Sequence, residues 1–124
     1  MTRAELKDLC LSLPEATSDF PFDFETEVFR VHGKIFALSA VSARGDGGAV
    51  FSVNLKCDPN LALELRREFS DIVPGFHMNK THWNTVYINR NLPDERVRWL
   101  VGHSWEMVAR GLPRKLRDDL LGKT

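Results

Sequence analysis

Lys80, His82, Trp83 and Asn84 fall within one short stretch, KTHWN, between a Pro-Gly pair at 74–75 and an apolar run that starts at Thr85. A cation, a stacking ring and an amide side by side suit contact with a phosphate and a base, or with another anionic ligand. The competing reading is a strand entry. Trp83 then plugs the sheet edge, His82 and Asn84 bond loop backbone, and Lys80 sits in solvent, because polar side chains in loops mostly satisfy main-chain groups. His77, His82 and His103 raise the question of a metal. The first two are five apart in a loop with no carboxylate or thiol between them, which matches no zinc-ligand spacing, so no metal site is expected.

Catalytic patterns are equally sparse. The chain has no G-x-S-x-G, Walker loop, paired C-x-x-C or H-E-x-x-H. His103 and Ser104 are neighbours on a helical pattern, so they point in different directions and cannot work as base and nucleophile. No catalytic residue, no enzymatic activity and no cofactor are expected.

A second set of candidates is basic. Arg30 and Lys34 lie in a predicted hairpin, with Arg44 in the following turn. Arg90 lies in the turn after the Trp83 strand, and Arg114, Lys115 and Arg117 cluster near the C-terminus. If they met Lys80 on one face, they would make a positive patch on a chain whose net charge is zero and whose pI is about 6.9. Charge is also unevenly spread. Residues 1–29 hold two bases against seven acids, leaving fifteen bases and ten acids for the rest. Glu15, Asp19, Asp23, Glu25 and Glu27 spread along an irregular segment, which reads as a solvated face, not as a metal ridge.

The elements that must position these groups follow from patterning. Thr2 and Glu5 form a capping box ahead of Leu6, Leu9, Cys10 and Leu13, predicting a helix over 3–12 that Pro14 stops. Phe20, Phe22 and Phe24 alternate, predicting an extended segment with one buried face. Residues 27–31 and 34–40 read as strands joined at His32-Gly33, where Gly33 supplies a positive φ. Arg44-Gly45-Asp46-Gly47-Gly48 is a looser turn, and residues 49–55 alternate as a third strand of an antiparallel meander. Asp58-Pro59 starts a helix with Leu61, Leu65 and Phe69 toward the sheet and Glu64, Arg66, Arg67 and Glu68 in water. Residues 83–88 form a strand. A long helix from near Pro93 carries the buried stripe Val97, Leu100, Val101, Ser104 and Val108, with Gly111 as its C′ residue, and a short helix over 114–121 follows.

Every segment has an apolar face to hide. The economical architecture is an α+β fold: one antiparallel sheet with helices packed on one face, a single domain over 1–124. Hydrophobic content of 43% and charged content of 27% are ordinary for a globular protein. No apolar run approaches the roughly 20 residues that span a bilayer, and MTRAELKDLC has no signal-peptide core. A cytoplasmic monomer is expected, with Cys10 and Cys57 as reduced thiols.

Two stretches carry a family resemblance: FPFDFETEVFRVHGKIFALSA (20–40) and HMNKTHWNTVYINRNLPDERVRWLVGHSWEMVARGLPRKLR (77–117). They resemble the MmcQ/YjbR-like family over nearly the whole chain, most specifically in KTHWNTV and in the helix ending Gly-Leu-Pro. The resemblance implies a CyaY-like (frataxin-like) two-layer sandwich. It also implies a DNA-binding module of double-wing type, in which Arg30, Lys34, Lys80, His82, Trp83, Asn84 and Arg90 would meet nucleic acid. The alternative is a non-enzymatic adaptor that binds a protein or small ligand with the same loop and the outer sheet face. That alternative predicts an aromatic-lined cleft near Trp83 and Phe76 and no continuous positive patch.

Overall fold

In the computed structural model, residues 1–43 and 48–122 are described. The elements run α1 (Arg3–Leu11), β1 (Ala16–Asp19), β2 (Glu27–Val31), β3 (Lys34–Ala43), β4 (Ala49–Lys56), α2 (Pro59–Glu68), β5 (Ile72–Pro74), β6 (Trp83–Tyr87), α3 (Asp94–Arg110) and α4 (Arg114–Leu121). The six strands form one antiparallel sheet in the order β1-β2-β3-β4-β6-β5. Thus β1 to β4 are a meander, α2 carries the chain past β4, and β6 inserts between β4 and the edge strand β5. The expected α+β architecture is present.

Strand alternation divides the sheet into two faces. Ala37, Val53, Leu55 and Val86 are buried on one face, under Leu6 and Cys10 of α1 and Val97, Leu100, Val101, Trp105 and Val108 of α3. Each large apolar side chain buried there contributes about 1.5–3 kcal/mol. The pairs Leu38–Asn54, Ala40–Ser52 and Ser42–Val50 project to the opposite face, as do Thr85 and Tyr87, and no helix covers them.

The helix layer is fixed to the sheet by specific polar bonds as well as by packing. Register slips between Phe29 and Arg30, so Ala37 pairs with Phe29, Ile35 pairs with Arg30, and Phe36 between them has no pairing partner. Ser104 Oγ donates to the Phe36 carbonyl at 2.5 Å and accepts from the Lys56 N–H at 2.8 Å. Trp105 Nε1 donates to the Pro14 carbonyl at 3.1 Å, tying α3 to the end of α1. Buried Glu27 takes an ion pair from Lys7 at 3.0 Å, so one acid of the N-terminal cluster is internal.

Several local signals act as their chemistry dictates. Thr2 and Glu5 form the reciprocal capping box. His32 and Gly33 take φ of 47° and 80°, the two positive angles of a tight hairpin turn. The Asp58 side chain accepts from Leu61 N at the start of α2.

Other expectations are corrected. Phe20, Phe22 and Phe24 do not share a buried face; they are 45%, 67% and 97% exposed. Strand β1 ends at Asp19, Pro21 lacks the N–H to prolong it, and Asp23 then folds the chain into a side-chain-capped turn. Arg66 does not lie on the wet side of α2 but turns inward against β6. Gly111 closes α3 at φ −84°, so no left-handed C′ conformation is used. Strands β1 and β5 are additional to the predicted set. Of the predicted turn at Arg44–Gly48, residues 44–47 lie outside the described residues.

Candidate functional site

The uncovered sheet face holds a cleft of about 730 Å³. Its floor is Leu38, Ala40 and Ser42 of β3, Val50, Ser52 and Asn54 of β4, and Thr85 and Tyr87 of β6, with Ile35 at one end. Two loops rise as its walls. Residues 20–26 contribute Phe22, Asp23 and Thr26, and residues 75–82 contribute Phe76, His77 and Met78. Volume and lining both fall in the range of small-ligand sites, which are concave and mostly apolar with a few fixed polar groups.

The second wall is clamped by the floor. Thr85 Oγ1 accepts from Phe76 N at 2.9 Å and donates to Asn54 Oδ1 at 2.6 Å. Asn54 Nδ2 completes the clamp by donating to the Phe76 carbonyl at 3.1 Å. His77, at φ 60°, turns its ring edge-on to Phe76 at a centroid distance of 4.5 Å. Behind the wall, Gly75 lies flat on Trp83: a Cβ there would come within 2.8 Å of the Trp83 Cβ. Only glycine permits that approach.

The first wall is held differently. Asp23 Oδ1 accepts from Glu25 N at 2.8 Å and Thr26 N at 2.6 Å, and Oδ2 accepts from Thr26 Oγ1 at 3.3 Å. Those N–H donors, Thr26 first and Glu25 next, hold the Asp23 carboxyl below its ordinary range. Arg3 also donates to the Glu25 carbonyl. The turn thereby presents Phe22 along the cleft and Phe24 to solvent.

The KTHWN stretch lies at the back of the second wall. Arg66 of α2 donates from Nε to Asn84 Oδ1 at 2.6 Å and from Nη2 to the carbonyls of Trp83, at 3.2 Å, and Lys80. Lys80 Nζ donates to the Gly75 carbonyl at 3.2 Å. His82 is exposed, and its carbonyl accepts from Cys57 N at 2.8 Å. Trp83 is half-buried beside Gly75 and does not line the cleft, while Asn84 is buried. Arg66 had no marker in the sequence, where its i, i+4 neighbours put it on the polar side of its helix.

The remaining basic candidates are apart from that stretch. Arg30 pairs with Asp19 at 3.2 Å and donates to the Gly33 carbonyl, and Lys34 is exposed at the same hairpin. Arg90 stacks over the Tyr87 ring at 4.4 Å, at the opposite end of β6 from Trp83 and Lys80.

His103 is structural in its contacts. Its Nε2 accepts from Asp58 N at 3.2 Å and its ring stacks on Trp99 at 5.0 Å. Burial lowers its pKa, and Arg110 adds to that against Glu106 and Asp58. Burial also raises the Cys10 thiol to about 12 and the Cys57 thiol to about 11, which leaves both unreactive. Among the described residues no three His, Cys, Asp or Glu side chains gather as a metal site. No helix among them is long and apolar enough to cross a membrane.

These features define a class: a small two-layer α+β domain with helices on one sheet face and an aromatic-lipped cleft on the other. Comparison with known proteins gives the family of this α+β chain. The YjbR family model matches residues 11–107, and the chain belongs to the YjbR family. It is 39% identical to the uncharacterised protein YbdF of Escherichia coli O157:H7 over 88% of this chain and 85% of that one. It is 35% identical to the uncharacterised protein YjbR of Escherichia coli K12 over 98% of both. Among solved structures it resembles a Deinococcus radiodurans protein bearing a DUF419 domain, with TM-score 0.83, 34% identity and coverage of 96% of this chain and 87% of that one. A Pseudomonas syringae protein matches with TM-score 0.74 and 28% identity, over 86% and 98% of the two chains.

Proposed function

We propose that the chain is a non-enzymatic binding module that takes a small, largely apolar ligand on the open face of its sheet. The observation that carries this reading is the cleft itself: about 730 Å³, walled by Phe22 and Phe76 and floored by aliphatic side chains with a few hydroxyls and an amide. Leaving rings such as Phe22 and Phe76 in water is unfavourable unless something covers them. The site fits the adaptor reading of the sequence, with Phe76 in the wall and Trp83 as its backing.

The test is a fragment screen read by amide chemical shifts. The expected result is a set of aromatic fragments binding with Kd on the order of 10⁻³ M or tighter. Their shifts should cluster on Ser52, Asn54, Phe76 and Thr85 and vanish in Phe76→Ala. Shifts confined to α2 and the KTHWN stretch, or no binders, would overturn the reading.

DNA binding of double-wing type is the second reading. It is supported by the exposed Lys34 at the tip of the β2–β3 hairpin and by Arg114, Lys115 and Arg117 on α4. Against it stand the zero net charge, the Arg30–Asp19 pair and the separation of Arg90 from Lys80. Fluorescence anisotropy with duplex DNA decides this: affinity no tighter than about 10⁻⁴ M, the weak end of non-specific binding, removes it.

A further inference from the structure

The charge of the cleft, if the cleft is the binding site proposed above, selects among apolar ligands. Among the described residues Asp23 is the one carboxylate lining it and no Lys or Arg lines it, although Arg3, outside the lining, acts on the Asp23 charge. The carboxylate is not saturated. Oδ1 is taken by two backbone N–H groups, while Oδ2 has one hydroxyl at 3.3 Å and room for another donor. Phe22 stands beside Asp23 on the same lip, and ring faces are negative. One ring of the cleft already carries a cation, the Arg90 guanidinium over Tyr87. Arg90 follows β6, across β3 and β4 from the loop that holds Asp23, so its charge lies away from the Asp23 lip.

We infer that the cleft takes small organic ammonium ions, with the apolar body over the β3–β4 floor and the ammonium at the Asp23–Phe22 lip. Asp23 and Phe22 repel or ignore an anion there, and an uncharged body of the same shape loses only the charge-dependent part of the binding. An exposed ion pair and one cation–π contact are each modest, and together they give roughly a tenfold preference for the ammonium.

The experiment compares three probes of similar body: phenethylammonium, 2-phenylethanol and 3-phenylpropionate. Each is titrated into the isotope-labelled full chain at about pH 8. The ammonium should bind roughly tenfold tighter than the propionate, with the alcohol between them. In Asp23→Asn the three affinities should converge to within about threefold. Asparagine keeps the Oδ1 acceptor for Glu25 N and Thr26 N, so the turn survives, as unchanged amide shifts at those residues would confirm. Equal binding of all three probes by the native chain, or a preference that persists in Asp23→Asn, overturns the charge selection and leaves the cleft reading standing. Binding of none of them overturns both.

Discussion

The loop of residues 75–82 is fastened at many points, whereas the loop of residues 20–26 hangs from one capped turn and one arginine. Arg66, Asn54 and Thr85 hold the first from outside, and Lys80 braces it from within. Asp23 and Arg3 hold the second. The first is rich in polar side chains, and two of them, Asn79 and Lys80, bond main-chain groups of the loop itself. The second is poor in polar bonds and leaves three phenylalanines in water. Asn79 and Lys80 thus mark where backbone needed satisfying, and the exposed rings of the second loop mark the face proposed above for a ligand.

Breaking the fastened loop should cost most. Arg66→Met removes three donors and leaves the buried Asn84 amide oxygen unpaired. A loss of about 3 kcal/mol in urea unfolding is expected. Thr85→Val keeps the β-branched shape of a strand residue and deletes the clamp on Phe76. The expected loss is about 1.5 kcal/mol, with new exchange broadening at Phe76 and His77.

A smaller effect tests the helix that carries Arg66. His103 accepts from Asp58 N at the head of α2, and burial depresses its folded pKa below the unfolded value of 6.5. The neutral ring is the folded form, so its contribution is complete above pH 6.5 and is lost as pH falls through the folded pKa. The urea midpoint should decline on acidification in the native chain and decline less in His103→Gln. The opposite slope would remove the assigned role. The least effect belongs to the other loop: Phe24→Ser, at a side chain 97% exposed, should leave the urea midpoint where it was. A marked drop there would mean that the loop is packed after all and would erase the contrast between the two walls.

Much of the scaffold was legible in residue order because local chemistry decided it. The capping box at Thr2, the His32-Gly33 turn, Asp58-Pro59 and the bounds of α4 depend on a few adjacent residues. The sheet's second half was less legible. Strand β5 is three residues long and ends in proline, and β1 owes its existence to pairing with β2. Alternating phenylalanines carry a strand's periodicity, yet Pro21 and the Asp23 turn override it. For the proposed site, the sequence points to Phe76 and the outer sheet face. Phe22 and Asp23 carry no such marker, because alternation points the one to a core and charge density points the other to a solvated face. Arg66 was hidden because helical spacing gives the side of an element but not the reach of a long side chain.

Leu38 and Asn54 stand back to back with Ala37, Val53 and Leu55 along the same two strands. Their neighbours on the helix side cannot move without disturbing the whole interior, so the proposed recognition surface is printed on a plate of set shape. Substituting Leu38, Ser52 or Val50 changes the lettering and leaves the plate alone. The proposed site can therefore be altered through a handful of outward positions, with no alteration to how the chain assembles.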